Sequence, residues 1–298
     1  MRILRVVLAL FLLADAAFLV IFWPPARLFA LCVAGRSSCP LEATLGVPAE
    51  SARIDEARQR MRAGSRRVRT EAGLELWETP QGPFWIPPST AGSLHIVLAE
   101  QELEYYGAGA QAVHAGDVVL DCGADIGSFT RRALRHGASL VVAIEPMPEK
   151  EPCLRRTFSA EIAEGRVIVY PKGVWDKPDT LTLHGDSVVE RRAGKQFRVP
   201  LATIDSIAAE LKLSRVDYIK MDVEGAEPRA LAGARSVIQR FRPRLSIATE
   251  HAPDDALAIP RLVRSMAAGY RAEPLHCMYD SGRVRPEVLH FYWPNSRL

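Results

Sequence analysis

Apolar runs without polar alternation recur through the middle of the chain, at residues 118–120, 140–144, 166–170, 216–222 and 244–249. Such runs read as strands buried on both faces, the habit of a parallel sheet covered by helices. Between and after them the period lengthens to that of helices, predicted over 129–135, 149–158, 203–211, 229–241 and 254–268. In 203–211, Ile204, Ile207, Ala208 and Leu211 share one face. Pro228 suits a helix start, whereas Pro260 is expected to kink or split the last helix. Short β-type pieces at 180–184 and 197–200 predict a hairpin insertion within 176–200. A second hairpin is predicted over 75–86, ahead of a helix at 94–106. Segments 270–276 and 287–293 read as two final strands, the second at an edge.

Chemistry gathers where the strands end. The first run stops on Asp121, and Cys122-Gly123-Ala124-Asp125-Ile126-Gly127 turns the chain into a helix with Ser128 as its expected N-cap. A dinucleotide fingerprint needs G-x-G-x-x-G, so that a pyrophosphate can sit on the turn and helix N-terminus. Here only two glycines are present and an acid ends the strand; that acid would repel a pyrophosphate and could hold an amino group. The second strand ends on Glu145, placed to accept hydrogen bonds from ribose hydroxyls. Amino group plus ribose without phosphate describes S-adenosylmethionine (SAM). The simpler alternative is that both acids only cap strand ends.

Three blocks make the pattern specific: Asp121-Cys122-Gly123-Ala124-Asp125-Ile126-Gly127-Ser128-Phe129-Thr130, Glu145-Pro146-Met147-Pro148, and Ile219-Lys220-Met221-Asp222-Val223-Glu224-Gly225-Ala226-Glu227. Together with Thr203-Ile204-Asp205 and Glu250-His251, they resemble the FkbM family of SAM-dependent methyltransferases over roughly residues 95–252, and more loosely beyond. Cys122 and Asp125 depart from the valine or isoleucine and the asparagine more usual in that family, and both leave the turn possible. The resemblance implies an α/β, Rossmann-like class I methyltransferase sheet of seven strands with helices on both faces, its last strand antiparallel. It also implies a SAM site formed by Asp121, Gly123, Ala124, Asp125, Ile126, Gly127, Glu145 and Pro146, and an acceptor such as a sugar, glycolipid or polyketide-like molecule. Glu102, Tyr105 and Tyr106 fall where the family has a segment near the cofactor; packing is the other role open to the tyrosines. Trp175 falls near the expected adenine position, or in the core.

Methyl transfer from a sulfonium is an in-line displacement that asks chiefly for alignment. A hydroxyl acceptor also needs a group to take its proton. Asp222, Glu224 and Glu227 follow the fourth strand and His251 follows the fifth, so acids and an imidazole are expected at one mouth. His251 is the first candidate for general base, with Asp222 or Glu224 as alternatives for taking the proton or orienting the acceptor. A histidine satisfied by backbone at a strand end is the non-catalytic alternative. Lys220 is expected to neutralise the acids or to lie along the strand. The three acids lack the ligand spacing of a hard-cation loop, and no metal is expected.

The chain of 298 residues carries a net charge of +3, too small to imply nucleic acid as a partner. Its five cysteines are scattered without metal spacing and read as free thiols of a reducing compartment, Cys122 and Cys153 packed inside. From Val6 to Trp23 the only charge is Asp15, and at ~1.5 Å per residue the stretch reaches roughly 27 Å, the span of a bilayer core. An uncleaved anchor over 1–25 is expected rather than a signal peptide, because Trp23-Pro24-Pro25 is a poor approach to a cleavage site. A basic linker and lead-in at 26–90 and a methyltransferase domain at 91–298 complete the expected organisation. The seven arginines between Arg53 and Arg69 favour a cytoplasmic domain, where SAM is made; a helix at 54–68 would be either solvated or laid on anionic headgroups. The competing readings are a non-catalytic, membrane-tethered SAM-fold binding protein and an NAD(P)-dependent oxidoreductase, the latter disfavoured by the missing G-x-G.

Overall fold

The computed structural model describes residues 23–184 and 196–294. Of the expected anchor at 1–25, residues 1–22 lie outside the described residues, and Pro24 and Pro25 open a helix that runs to Val33. Among the described residues no helix is long and apolar enough to cross a membrane.

The five apolar runs form β4 (Val118–Cys122), β5 (Leu140–Ile144), β6 (Val167–Tyr170), β10 (Tyr218–Met221) and β11 (Arg244–Ala248), all parallel. With β12 (Arg271–Asp280) and β13 (Arg283–Tyr292) they make one sheet in the order β12-β13-β11-β10-β4-β5-β6. The last strand is antiparallel to both of its neighbours, as expected, but it is not the edge: β13 sits between β11 and β12. A tight turn explains this. Ser281 and Gly282 both hold positive φ, +48° and +81°, the two-residue geometry that folds β12 back on β13 as a hairpin. The second strand of the hairpin then pairs with β11 and leaves β12 outermost.

Helices α4 (Ser128–Arg135), α5 (Glu151–Thr157), α6 (Ser159–Ala163), α7 (Ile204–Glu210), α8 (Glu227–Ala232), α9 (Arg235–Phe241) and α10 (Asp255–Met266) cover the sheet. Gly127, not Ser128, is the N-cap of α4, at φ +88°. Thr203 and Ser206 form a reciprocal capping box at the start of α7. The helix expected over 229–241 is two helices broken at Gly233, where a Cβ would stand 2.0 Å from the carbonyl oxygen of Trp175. Conversely α10 runs through Pro260 without splitting.

The lead-in is more structured than a linker. Helix α1 (Pro24–Val33) is followed by α2 (Leu41–Gly64), which begins well ahead of the expected basic helix and ends before Arg66. Arg66 to Val68 belong to β1 (Arg66–Glu71), which with β2 (Leu74–Glu78) and β3 (Phe84–Ile86) makes an antiparallel three-stranded sheet. Helix α3 (Leu94–Glu102) stops short of Tyr105 and Tyr106. The insertion forms the expected hairpin of β8 (Asp179–His184) and β9 (Gln196–Ala202), and β7 (Gly173–Val174), just ahead of it, joins them in the order β7-β9-β8.

One expectation is overturned outright. Cys39 and Cys277 are not free thiols but form a disulfide across 238 positions of sequence. The loop after α1 packs beside the β12–β13 hairpin, where Ser37 bridges Val284, and this brings the sulfurs together. Spacing along the chain carries no trace of such a contact. Cys122 and Cys153 are free and buried, as expected.

Candidate active site

In the sheet, β4 has β5 on one side and β10 on the other, so the chain reverses its direction of winding at β4. Open α/β sheets bind ligands in the crevice beyond the strand ends at this kind of switch point. A cavity of about 330 Å³ opens there, walled by the turn after β4, the ends of β5 and β10, and the inserted sheet.

The turn after β4 holds its shape through backbone. Gly123, at φ +80°, passes so close to the next loop that a Cβ would lie 1.8 Å from the carbonyl oxygen of Asp222. Asp125, at φ +51°, donates its N–H to Oε2 of Glu145 at 2.9 Å, while Met147 N–H donates to Oε1 at 3.0 Å. Burial pushes the Glu145 carboxyl up in pKa; the charge of Lys150 and these two N–H groups act the other way. Each oxygen keeps a lone pair for a ligand hydroxyl.

The predicted cofactor residues divide into two sets. Gly123, Asp125, Glu145 and Pro146 line the cavity. Ala124, Ile126 and Gly127 instead face the interior, Ile126 against the core under α3 and Gly127 against Phe158. Asp121 is fully buried beneath the turn, where Oδ2 accepts from the Thr130 hydroxyl at 2.6 Å and Oδ1 lies 3.6 Å from Lys220 Nζ. It is therefore not on the cavity wall, where its strand-end position suggested it would be. Lys220, expected among the catalytic groups, is buried too. Its Nζ donates to the Gly123 carbonyl at 2.7 Å and lies 3.6 Å from Asp222 Oδ2, tying the β4 turn to the β10 turn. Burial works against that charge, but Asp222 and Asp121 outweigh it and raise the lysine pKa.

At the other wall the structure brings Asp222, Glu224 and His251 together. Tyr106 donates its hydroxyl to Asp222 Oδ2 at 2.7 Å. Nε2 of His251 lies 3.7 Å from both Asp222 Oδ1 and Glu224 Oε2, and Nδ1 lies 3.0 Å from Oε1 of buried Glu227. Burial opposes a charge on His251, but Glu227 first, then Asp222 and Glu224, lift its pKa to about 9. Burial likewise pushes Asp222 up, yet Lys220 and His251 outweigh it and hold that carboxyl below its usual value. Glu224 is raised, by desolvation and then by Asp222. Its side chain is the exposed member of the group at 51 %.

Sequence reasoning missed part of the cavity. Lys150 pairs with Asp125 at 2.8 Å. Leu181, Leu183, Val199 and Leu201 of the insertion form an apolar wall, and their alternation along β8 and β9 was the available signal. Ser93 and Val97 reach the cavity from α3, with nothing in their local pattern to announce it. Trp175 lines the cavity, on the side expected for a base. Glu102, by contrast, pairs with Arg60, and Tyr105 stacks on His276.

An acidic strand end with free acceptor lone pairs, beside an apolar slot edged by an indole, fits a ribose and an adenine. Residues 121–272 match the methyltransferase FkbM domain, just over half of the chain. No curated protein matches in sequence. Among solved structures, methyltransferase FkbM from Methylobacillus flagellatus is 19% identical with a TM-score of 0.47; the match covers 82% of this chain and 59% of that one, which is the longer. Precorrin-6y C5,15-methyltransferase from Geobacter metallireducens is 11% identical over 70% of this chain and 91% of its own, with a TM-score of 0.39. A Streptococcus mutans protein in complex with SAH is 11% identical over 64% of this chain and 95% of its own, with a TM-score of 0.42. With its three sequence blocks meeting in one crevice and the domain match spanning them, the chain belongs to the FkbM family of methyltransferases, with SAM as the methyl donor.

Proposed function

We propose that the chain O-methylates a hydroxyl on a sugar, glycolipid or related acceptor held at a membrane. The observation that carries this reading is the meeting of Asp222, Glu224 and His251 beside the cofactor cavity, where a hydroxyl would find a proton acceptor. Bound SAM supplies a methyl group on a sulfonium. As the acceptor oxygen bonds to that methyl, the carbon–sulfur bond breaks, sulfur keeps the electron pair, and the hydroxyl proton passes to a protein group.

Glu224 is placed to take that proton, being exposed on the cavity wall. Asp222 is committed through Oδ2 to Tyr106 and Lys220, and His251 stands among three carboxylates. Gly123, Asp125 and Glu145 would hold the donor, Glu145 through ribose hydroxyls. Trp175 and the leucine wall of the insertion would cover the adenine and exclude water.

A membrane-held acceptor is supported by the apolar stretch ending at Trp23 and by the two helices that come after it. Trp23, Phe29, Val33, Leu41 and Leu45 stand exposed on α1 and the start of α2. Aromatic and apolar groups directly after a span suit the membrane interface. We place the domain on the cytoplasmic side, where SAM is made. The Cys39–Cys277 bond weighs against this, since disulfides persist mainly in oxidising compartments.

Calorimetric titration of the full chain with SAM and NAD⁺, with Glu145→Ala beside the unaltered protein, tests the donor. A screen of glycolipid and lipid-linked saccharide acceptors with methyl-labelled SAM then tests the transfer. Micromolar SAM binding weakened by the variant, followed by label in an acid-stable ether, is the expected result. SAM binding without transfer to any acceptor would favour a tethered binding protein, and label recovered on nitrogen would overturn O-methylation.

A further inference from the structure

Asp222, Glu224 and His251 place one ligand-type atom each within 4.8 Å of one another. The two oxygens of Asp222 have different surroundings. Oδ2 is taken by the Tyr106 hydroxyl and faces Lys220, whereas Oδ1 points to Nε2 of His251. The other nitrogen of His251 makes an ion-pair contact of 3.0 Å with Oε1 of Glu227, and that oxygen accepts from Val223 N–H at 2.8 Å. Nε2 faces two carboxylate oxygens at 3.7 Å each. A carboxylate behind one imidazole nitrogen, with the other aimed into an oxygen cluster, is the support found behind metal-binding histidines. Glu224 completes the group from a turn in which its backbone holds φ +56°. An independent observation comes from Glu227, whose side chain is fully buried and whose Oε2 has no hydrogen-bond partner among the described residues. His251 stands 3.0 Å from the other oxygen, Oε1, and Oε2 is left without a donor.

We propose that Asp222, Glu224 and His251 bind a first-row divalent cation through Oδ1, Oε2 and Nε2. Metal–ligand distances of about 2.0–2.2 Å place neighbouring ligand atoms roughly 3.0–3.5 Å apart; the two carboxylate oxygens stand 3.7 Å from Nε2 and the whole group lies within 4.8 Å, so the exposed Glu224 side chain closes on the ion. Three protein ligands leave positions open, and a mixed imidazole–carboxylate set suits manganese, iron or zinc better than calcium. Lys220 does not oppose the ion directly, because its charge faces Oδ2 and Asp121. The acids alone showed no ligand spacing; the missing ligand, His251, arrives from the next strand. The cation's role, orienting the acceptor hydroxyl and lowering its pKa, rests on the transfer proposed above, whereas its binding does not.

The test titrates Mn²⁺ into the purified full chain, followed by electron paramagnetic resonance, with SAM binding measured by calorimetry on the same samples. One Mn²⁺ per chain is expected, at least tenfold weaker in Glu224→Gln and in His251→Gln and unchanged in Asp254→Asn, an exposed carboxylate nearby. Zn²⁺ is expected to displace it, and Ca²⁺ to do so at least tenfold less well. A chain that binds SAM but no Mn²⁺, Mn²⁺ binding that survives Glu224→Gln, or Ca²⁺ competing as well as Zn²⁺ would each overturn the proposal. Should His251→Gln fail to fold, the exposed Glu224 variant still decides. Mn²⁺ binding with SAM binding absent would sink the cofactor reading and leave the cation site standing.

Discussion

The two walls of the cavity are built on different principles. The cofactor wall is local: Gly123, Asp125, Glu145 and Met147 lie on two consecutive strand ends, and their bonds run from backbone N–H to one carboxylate. The acceptor wall is assembled from afar. Tyr106 comes from the segment after α3, Asp222 and Glu224 from the β10 turn and His251 from the β11 end, and these are held by side-chain charge and hydroxyls. The first wall hinges on one carboxylate braced by two fixed backbone N–H groups, whereas the second depends on each of several charged side chains from distant segments. The cofactor half should therefore tolerate chemistry that disables the acceptor half.

The largest effect should come from the place where the walls touch. Gly123→Ala puts a Cβ into the Asp222 carbonyl at a positive φ, and a loss of about 3 kcal/mol or more is expected. Both a lowered melting temperature and the disappearance of SAM binding should register it; normal SAM binding would mean that the two turns can part. Glu224→Gln should lower kcat by roughly 100-fold, the usual share of a general base, with the calorimetric Kd for SAM within about twofold of the parent. Glu145→Ala should do the reverse, weakening SAM by on the order of 30- to 100-fold (about 2–3 kcal/mol) while kcat at saturating SAM changes little. Equal effects of these two variants on Kd would erase the distinction between the walls. Tyr106→Phe removes a donor to Asp222 and should lower kcat by about tenfold, again without moving SAM affinity.

A last prediction concerns pH and stability rather than activity. Beneath the acceptor wall Tyr218 donates to the Tyr106 carbonyl and shares a hydrogen bond of 2.7 Å with Ser246, which meets Nδ1 of His290 at 2.8 Å. Burial, and after it Arg244, hold His290 down to about 3. The unfolded chain takes up that proton from about pH 6.5 downward while the folded chain does not. This contribution to stability is thus complete above about 6.5 and is lost as pH falls toward about 3, by at most ~1.4 kcal/mol per pH unit. Denaturant titrations across that window should show a shallower slope in His290→Gln, and an unchanged slope would assign the acid sensitivity elsewhere.

How much was legible tracks the same division. The β4 turn and Glu145 could be read because each lies where an apolar run stops, and position relative to a strand end is a one-dimensional property. Asp121 shows the limit of that reading. Its place at the strand end was right, but its side chain turns under the loop to meet Thr130 and Lys220, a choice made by packing. His251 could be named as a candidate, but not its pairing with Glu227, which depends on how the β10 and β11 ends lie together. Gly233 illustrates the same point in the scaffold: continuous helical periodicity gives way to a contact with Trp175 from another segment.

The sequence by itself determined the parallel α/β sheet, the order of its elements, the glycine turn after β4 and the acids that follow the strand ends, because periodicity and strand-end chemistry are carried by neighbouring residues. Only the tertiary structure decided which acids face the cavity and which are buried. It also decided that β13 lies inside the sheet, that Cys39 meets Cys277, and that Asp222, Glu224 and His251 come within reach of one ion. Those outcomes depend on contacts between segments far apart in the chain, and register, burial and charge balance at such contacts are set by packing.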